Sequence, residues 1–191
     1  MPAFKRDQLV DTALDLFEQS GFQAVGIDRV LSEAGVAKMT LYKYFPSKDH
    51  LIVAALQQKD RTHRLWFINQ VEQRASEPRE RLLAMFQTLR DMVDQPAYPG
   101  CIFARAAAEF GEVDHPVHVA AVDHKRWLRQ YIATLAAAAG AGVPEKLAFQ
   151  LTSLMDGAMA IRQIGGCEGL CDAVYAAAQT LIDAAVVVPA A

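Results

Sequence analysis

The chain has 191 residues, 52% of them apolar, which is enough to bury a sizeable core. Its 19 basic and 22 acidic residues leave a formal charge of −3, so the molecule is no polycation and any contact with nucleic acid must be local. The three cysteines form no CxxC and match no disulfide or zinc framework, which points to a reducing compartment.

The opening stretch MPAFKRDQLV lacks an apolar signal core, and no window reaches the roughly 18 uninterrupted apolar residues of a membrane span. A soluble, cytoplasmic protein with no membrane contact is expected. Phe4, Leu9, Val10, Ala13, Leu16 and Phe17 recur at three- and four-residue spacing and stop at Gly21, where a left-handed helix cap fits. A second, short apolar set, Ile27, Val30, Leu31 and Ala34, ends at Gly35. A third helix over about 38–44 is closed by Pro46, which disfavours helical geometry in the residue before it. Ser47 then caps a long fourth helix that runs to about Ala75.

Beyond Pro78, helices are expected near 78–94, 100–111, 116–139, 144–164 and 168–187, separated by proline and glycine clusters. No segment alternates convincingly with period two, so the fold class is all-α. Residues 1–50 form a three-helix unit and residues 51–191 a second helical domain.

Residues 27–44 have the dimensions of a helix-turn-helix, whose second helix can enter a DNA major groove. On that helix Leu41 and, just past its end, Phe45 can anchor to the core, leaving Lys38, Thr40, Lys43 and Tyr44 partly outward. From 34 to 48 there are three lysines and no acid, whereas 1–33 carry six acids against Lys5, Arg6 and Arg29. Lysine ammoniums and tyrosine hydroxyls suit phosphate oxygens, and Lys48 lies at the start of a helix whose free N–H groups also attract anions. A solvated lysine face on an ordinary helical hairpin is the alternative.

Leu16-Phe17, Gly21-Phe22, Ala34-Gly35-Val36 and Leu41-Tyr42-Lys43-Tyr44-Phe45, followed by Lys48, Asp49 and Leu51, resemble the DNA-binding region of TetR-family transcriptional regulators. The resemblance implies that Thr40, Tyr42, Tyr44 and Lys48 contact phosphates and that Lys38, Met39 and Lys43 face base edges. Gly26 stands where the family has a Ser or Thr cap, and Ala37 and Met39 replace commoner Ser and Gly. The resemblance also implies a C-terminal domain that dimerises and holds a small effector, and hence a repressor released from a palindromic operator. The alternative from another class is a helical ligand-carrier or protein-interaction module that no longer reads DNA.

For an apolar effector site the candidates are Met85, Phe86, Leu89, Met92, Cys101, Phe103, Phe110, Trp127, Met155 and Met159, since flexible methionines and aromatics suit an adaptable cavity. Arg105, Glu109, Arg162 and Gln163 lie among them as possible polar partners or surface charges. The segment beginning Gly100-Cys101 resembles a Gly-Cys-x-x-x-x-x-Ala-x-Glu stretch of one TetR subgroup, which makes Cys101, at a helix start, a candidate redox or electrophile sensor. Cys167 and Cys171, four apart, are a weaker pair. The last two long helices carry apolar residues on more than one face, as a four-helix interface between two chains requires.

Glu112-x-x-His115 has the spacing of a carboxylate-bridged di-iron site. No second copy exists, and Pro116 would break a helix across it. Asp114 is expected to cap the helix after it, with His115, His118 and His124 decorating that helix. No phosphate loop, nucleophile elbow or paired-carboxylate constellation is present, so neither an enzyme nor a cofactor or metal is expected.

Overall fold

The computed structural model describes residues 2–165 and 168–186. Among these the chain forms helices α1 (Pro2–Ser20), α2 (Ile27–Ala34), α3 (Lys38–Tyr44), α4 (Lys48–Arg74), α5 (Pro78–Val93), α6 (Ile102–Glu109), α7 (Pro116–Ala138), α8 (Pro144–Ile164) and α9 (Leu170–Ala185). One isolated bridge, Ala141 with Val186, is the only extended pairing among the described residues, so the all-α expectation holds. Cys167 lies outside the described residues.

Packing separates two compact units. The first runs to His63 and resumes over Cys101–His124; the second takes Arg64–Gly100 and the chain from Lys125 onward. Both α4 and α7 therefore contribute a segment to each.

In the first unit α1, α2 and α3 pack on one another. Their core holds Leu9, Val10, Phe17, Phe22, Val25, Val30, Leu41 and Phe45 with Leu51, Ile52, Ala55 and Leu56 of α4. Phe17 and Phe22 meet at 5.2 Å between ring centres, and Phe110 meets Phe22 edge-on at 6.0 Å. Burying each such side chain contributes about 2 kcal/mol.

The corner between α1 and α2 has a specific lock. Gly21 ends α1 at φ +82°, and its N–H reaches the Phe17 carbonyl at 2.9 Å. The Glu109 carboxylate on α6 accepts the Phe22 N–H at 3.0 Å and the Gln23 N–H at 2.7 Å. One turn earlier on α6, Arg105 donates to the carbonyls of Phe17 (3.2 Å) and Glu18 (3.0 Å). These two residues, read from sequence as ligand partners or surface charges, instead bond to backbone groups of the α1–α2 corner. The φ of +82° favours glycine at position 21, and a Cβ there would stand 2.8 Å from Glu109 Oε1, so this carboxylate would have to shift to admit a side chain.

α7 begins differently from expectation. The Val117 N–H donates to Nδ1 of His115 at 3.3 Å and the Val119 N–H to the His115 carbonyl at 3.0 Å, so His115, not Asp114, caps the helix. Glu112 and His115 share the preceding turn, where the His115 N–H reaches the Glu112 carbonyl at 3.0 Å.

In the second unit α5, α8 and α9 pack together. Arg162 on α8 donates to the Val93 carbonyl at 2.8 Å and the Gln95 carbonyl at 3.3 Å, while Gln163 donates to the Pro99 carbonyl at 3.2 Å. Ion pairs of Arg79 with Asp183 and Arg90 with Asp172 fasten α5 to α9 at the surface.

Glu109→Ala leaves two N–H groups of the α1–α2 corner without their acceptor. It should lower stability by about 2 kcal/mol, and Glu109→Gln by less, in a denaturant titration. An unchanged unfolding midpoint for the alanine variant would show that the corner does not depend on this carboxylate.

Candidate nucleic-acid interface

α2 starts from Gly26, whose extended backbone (φ −78°, ψ 154°) offers no side-chain cap. It stops at Gly35 (φ +61°), whose N–H returns to the carbonyls of Leu31 and Ser32. The left-handed residue turns the chain through Val36 and Ala37 into α3, and Val36 is buried beneath the turn. α3 is held from one side, with Leu41 at 0% and Phe45 at 3% exposure. The opposite side carries Met39 at 84% and Tyr42 at 44% exposure together with exposed Lys38 and Lys43; Thr40 and Tyr44 are half-buried. Met39, Tyr42 and Lys43 stand three and four residues apart, hence on one helix face, and with Thr40 they line a shallow groove.

The start of α4 borders this face. Ser47 caps it: the His50 N–H reaches Ser47 Oγ at 3.4 Å, and the same oxygen meets His50 Nδ1 at 2.8 Å. Lys48, half-buried, reaches the Gln23 carbonyl at 3.5 Å. Lys38 pairs with Asp28 at 3.4 Å, both well exposed, which makes the contact weak in water. Asp49 faces His115 at 3.5 Å. A further cation joins the surface from α1: the Arg6 guanidinium lies over the Phe45 ring at 5.5 Å. Sequence reading missed it because the contact links residues 39 positions apart, and only the buried anchoring of Phe45 puts the two together. All seven DNA-contact candidates, Lys38, Met39, Thr40, Tyr42, Lys43, Tyr44 and Lys48, thus belong to α3 and the first residue of α4.

The ten effector-site candidates fall into two groups. Cys101, Phe103 and Phe110 belong to the first unit and pack in or against its core. Met85, Phe86, Leu89, Met155 and Met159 are buried in the second unit, where Met92 and Trp127 are half-buried. There Trp127 stacks on Tyr131 at 5.8 Å, and the Arg64 guanidinium lies over Trp127 at 4.7 Å. The Tyr131 hydroxyl is buried with no hydrogen-bond partner among the described residues, and burial pushes its pKa up.

His124 is a correction. It does not decorate α7; it is buried at 3% exposure, with Nδ1 2.7 Å from Asp60 Oδ1 and its ring stacked on Phe103 at 3.7 Å. The signal was in the sequence, because Val117, Ala121, His124 and Leu128 fall on one helical stripe and all are buried. Of the cysteines, Cys101 precedes α6 as its half-buried N-cap residue. Cys171 on α9 lies 3.7 Å from Asp94; burial and that carboxylate push its thiol up, against Arg90, which keeps it in the less reactive protonated form.

The same two-part helical layout recurs in known proteins. The family model for bacterial regulatory proteins of the tetR family matches residues 9–55, and the model for the tetracyclin repressor-like C-terminal domain matches 78–178. The structure of SCO4454, a TetR-family transcriptional regulator from Streptomyces coelicolor, superposes with a TM-score of 0.90 at 30% identity, covering 98% of this chain and 92% of that one. The HTH-type transcriptional regulator YjdC of Escherichia coli is 21% identical over 178 residues, 93% of each chain. The HTH-type transcriptional repressor KstR of Rhodococcus jostii is 46% identical over 52 residues, 27% of this chain and 24% of that one. These relatives are regulators rather than enzymes, and the similarity spans both the helix-turn-helix and the helices after it. The chain belongs to the TetR family of bacterial DNA-binding transcriptional regulators.

Proposed function

We propose that the protein is a cytoplasmic repressor that holds a palindromic operator as a homodimer and leaves it when a small molecule binds. The observation that carries this reading is the two-sidedness of α3, with Leu41 and Phe45 buried and Lys38, Met39, Tyr42 and Lys43 turned to solvent. Residues 1–50 supply the DNA contacts, with Thr40, Tyr42, Tyr44 and Lys48 on phosphates and Lys38, Met39 and Lys43 toward base edges. Residues 51–191 dimerise and hold the effector. In a two-fold dimer the paired α3 helices would enter successive major grooves about 34–36 Å apart.

Burial on α8 and α9 supports dimerisation. Leu147, Leu151, Met155 and Ala158 of α8, with Ala178 and Ile182 of α9, face the interior. Phe149 (59%), Ile161 (45%) and Ile164 (86%) remain exposed, and Phe149, Leu154 and Leu181 line a shallow groove with Lys146, Gln150 and Ser153. An apolar second face on both helices is what a four-helix interface between copies needs. No helix of the described residues is long and apolar enough to cross a membrane.

The methionine and aromatic side chains of α5 and α8, with the Trp127 and Tyr131 rings, suit an apolar effector, and the Tyr131 hydroxyl suits one polar atom on it. The effector acts by binding the DNA-incompetent arrangement more tightly, since equal affinity for two states shifts nothing. α4, which contributes to both units, is the lever in this reading.

Two measurements test it on the full chain. In a salt titration with DNA from upstream of the protein's own gene, Lys48→Ala should weaken binding to every duplex. It should also make the log–log slope shallower by about 0.9 for each phosphate that the variant no longer neutralises. An unchanged affinity and slope would remove Lys48 from the interface. Phe149→Glu places a charge on a surface that the single chain leaves open, so the fold should persist while sedimentation shifts from a dimer toward 20.9 kDa. A variant as dimeric as the parent would assign the interface elsewhere.

A further inference from the structure

We propose that Met39 recognises the C5-methyl group of a thymine in the operator's major groove, an inference that rests on the DNA-binding reading above. Met39 is the most exposed large apolar residue of the recognition surface, 84% accessible at the second position of α3. Its neighbours are cationic or polar: Lys38 before it, Thr40 after it, Tyr42 and Lys43 a turn further along the same face. A long apolar side chain in the middle of a lysine-bearing face has no counterpart on a phosphate backbone. Among the base edges displayed in the major groove, the thymine methyl is the distinctive apolar group; the rest are donors and acceptors. Charge complementarity brings the surface to DNA, through Lys38, Lys43 and Lys48, and the thioether then has one chemically matched partner. Methionine's three rotatable bonds let it reach that methyl without strain in the short helix, and its polarisable sulfur favours close contact.

The register follows from helix geometry. Lys43 lies four residues after Met39, about 6 Å along the axis. That spans roughly two base steps of about 3.4 Å each. A lysine there suits guanine O6 and N7. The half-site should therefore contain a thymine with a guanine within about two base pairs of it.

The test uses the full-length protein and duplexes selected from a randomised library. In a selected duplex each thymidine is replaced singly by deoxyuridine, which deletes the methyl and keeps every hydrogen-bonding group. Binding is followed by fluorescence anisotropy for the parent and for Met39→Ala, which preserves helix propensity and disturbs no buried contact. The parent should bind about threefold to fivefold more weakly when one thymine of the half-site is replaced, as expected for one methyl taken out of an apolar contact. Met39→Ala should bind the thymine and uracil duplexes equally at that position, with its salt slope unchanged. If the parent binds the selected duplex but tolerates every replacement, or if Met39→Ala keeps the same methyl sensitivity, the proposal is overturned and DNA binding stands. If no duplex is selected, the underlying DNA-binding reading fails and the proposal falls with it.

Discussion

Helices of eight and seven residues do not hold themselves in water, so the DNA-facing surface depends on the packing that pins α2 and α3. Three restraints supply it. Val30, Ala34, Val36, Leu41 and Phe45 are buried in the core shared with α1 and the start of α4. Gln8 of α1 donates to the Ala34 carbonyl at 2.9 Å, fixing the end of α2 against its neighbour. At the other end, Glu109 and Arg105 hold the α1–α2 corner by its N–H and carbonyl groups. α3 is anchored on its inner side through Leu41 and Phe45, and the same burial that stabilises the helix sets which of its residues face outward.

The legible part of this protein was the part encoded locally. Gly21 and Gly35 mark helix ends through a positive φ that favours glycine. Pro46, Pro78, Pro116 and Pro144 mark boundaries because proline lacks an N–H and restricts the residue before it, and apolar spacing picks out the inner face of α3. The illegible part depends on contacts distant in sequence. Glu109 meets Phe22 across 87 residues, and nothing near either position announces it. His124 pairs with Asp60 across 64 residues, and although the stripe of Val117, Ala121 and Leu128 turns this histidine inward, nothing near it in sequence names its partner. The helix cap at His115 was missed because Asp114 is the commoner capping residue, yet the imidazole was the group that reached the Val117 N–H.

Electrostatics on the interface is a local matter in a chain of net charge −3. Asp28 engages Lys38 and Asp49 faces His115, while Arg6 is oriented by the Phe45 ring. Exposed pairs of this kind contribute little to folding and give way readily to a phosphate, so they orient the cations without neutralising the surface toward a polyanion. Affinity for DNA should accordingly be strongly salt-dependent, whereas in the proposed reading base preference is left to the side chains of α3 that project furthest, Met39 foremost.

The central claim is that the outward face of α3 is the surface that meets DNA. Hydroxyl-radical footprinting of the protein, read by mass spectrometry with and without a bound duplex, addresses this directly, since methionine and tyrosine are both reactive and Met39 and Tyr42 are both open in the free chain. Oxidation of Met39 and Tyr42 should fall sharply in the complex. Equal oxidation of both residues in free and bound protein would contradict the claim.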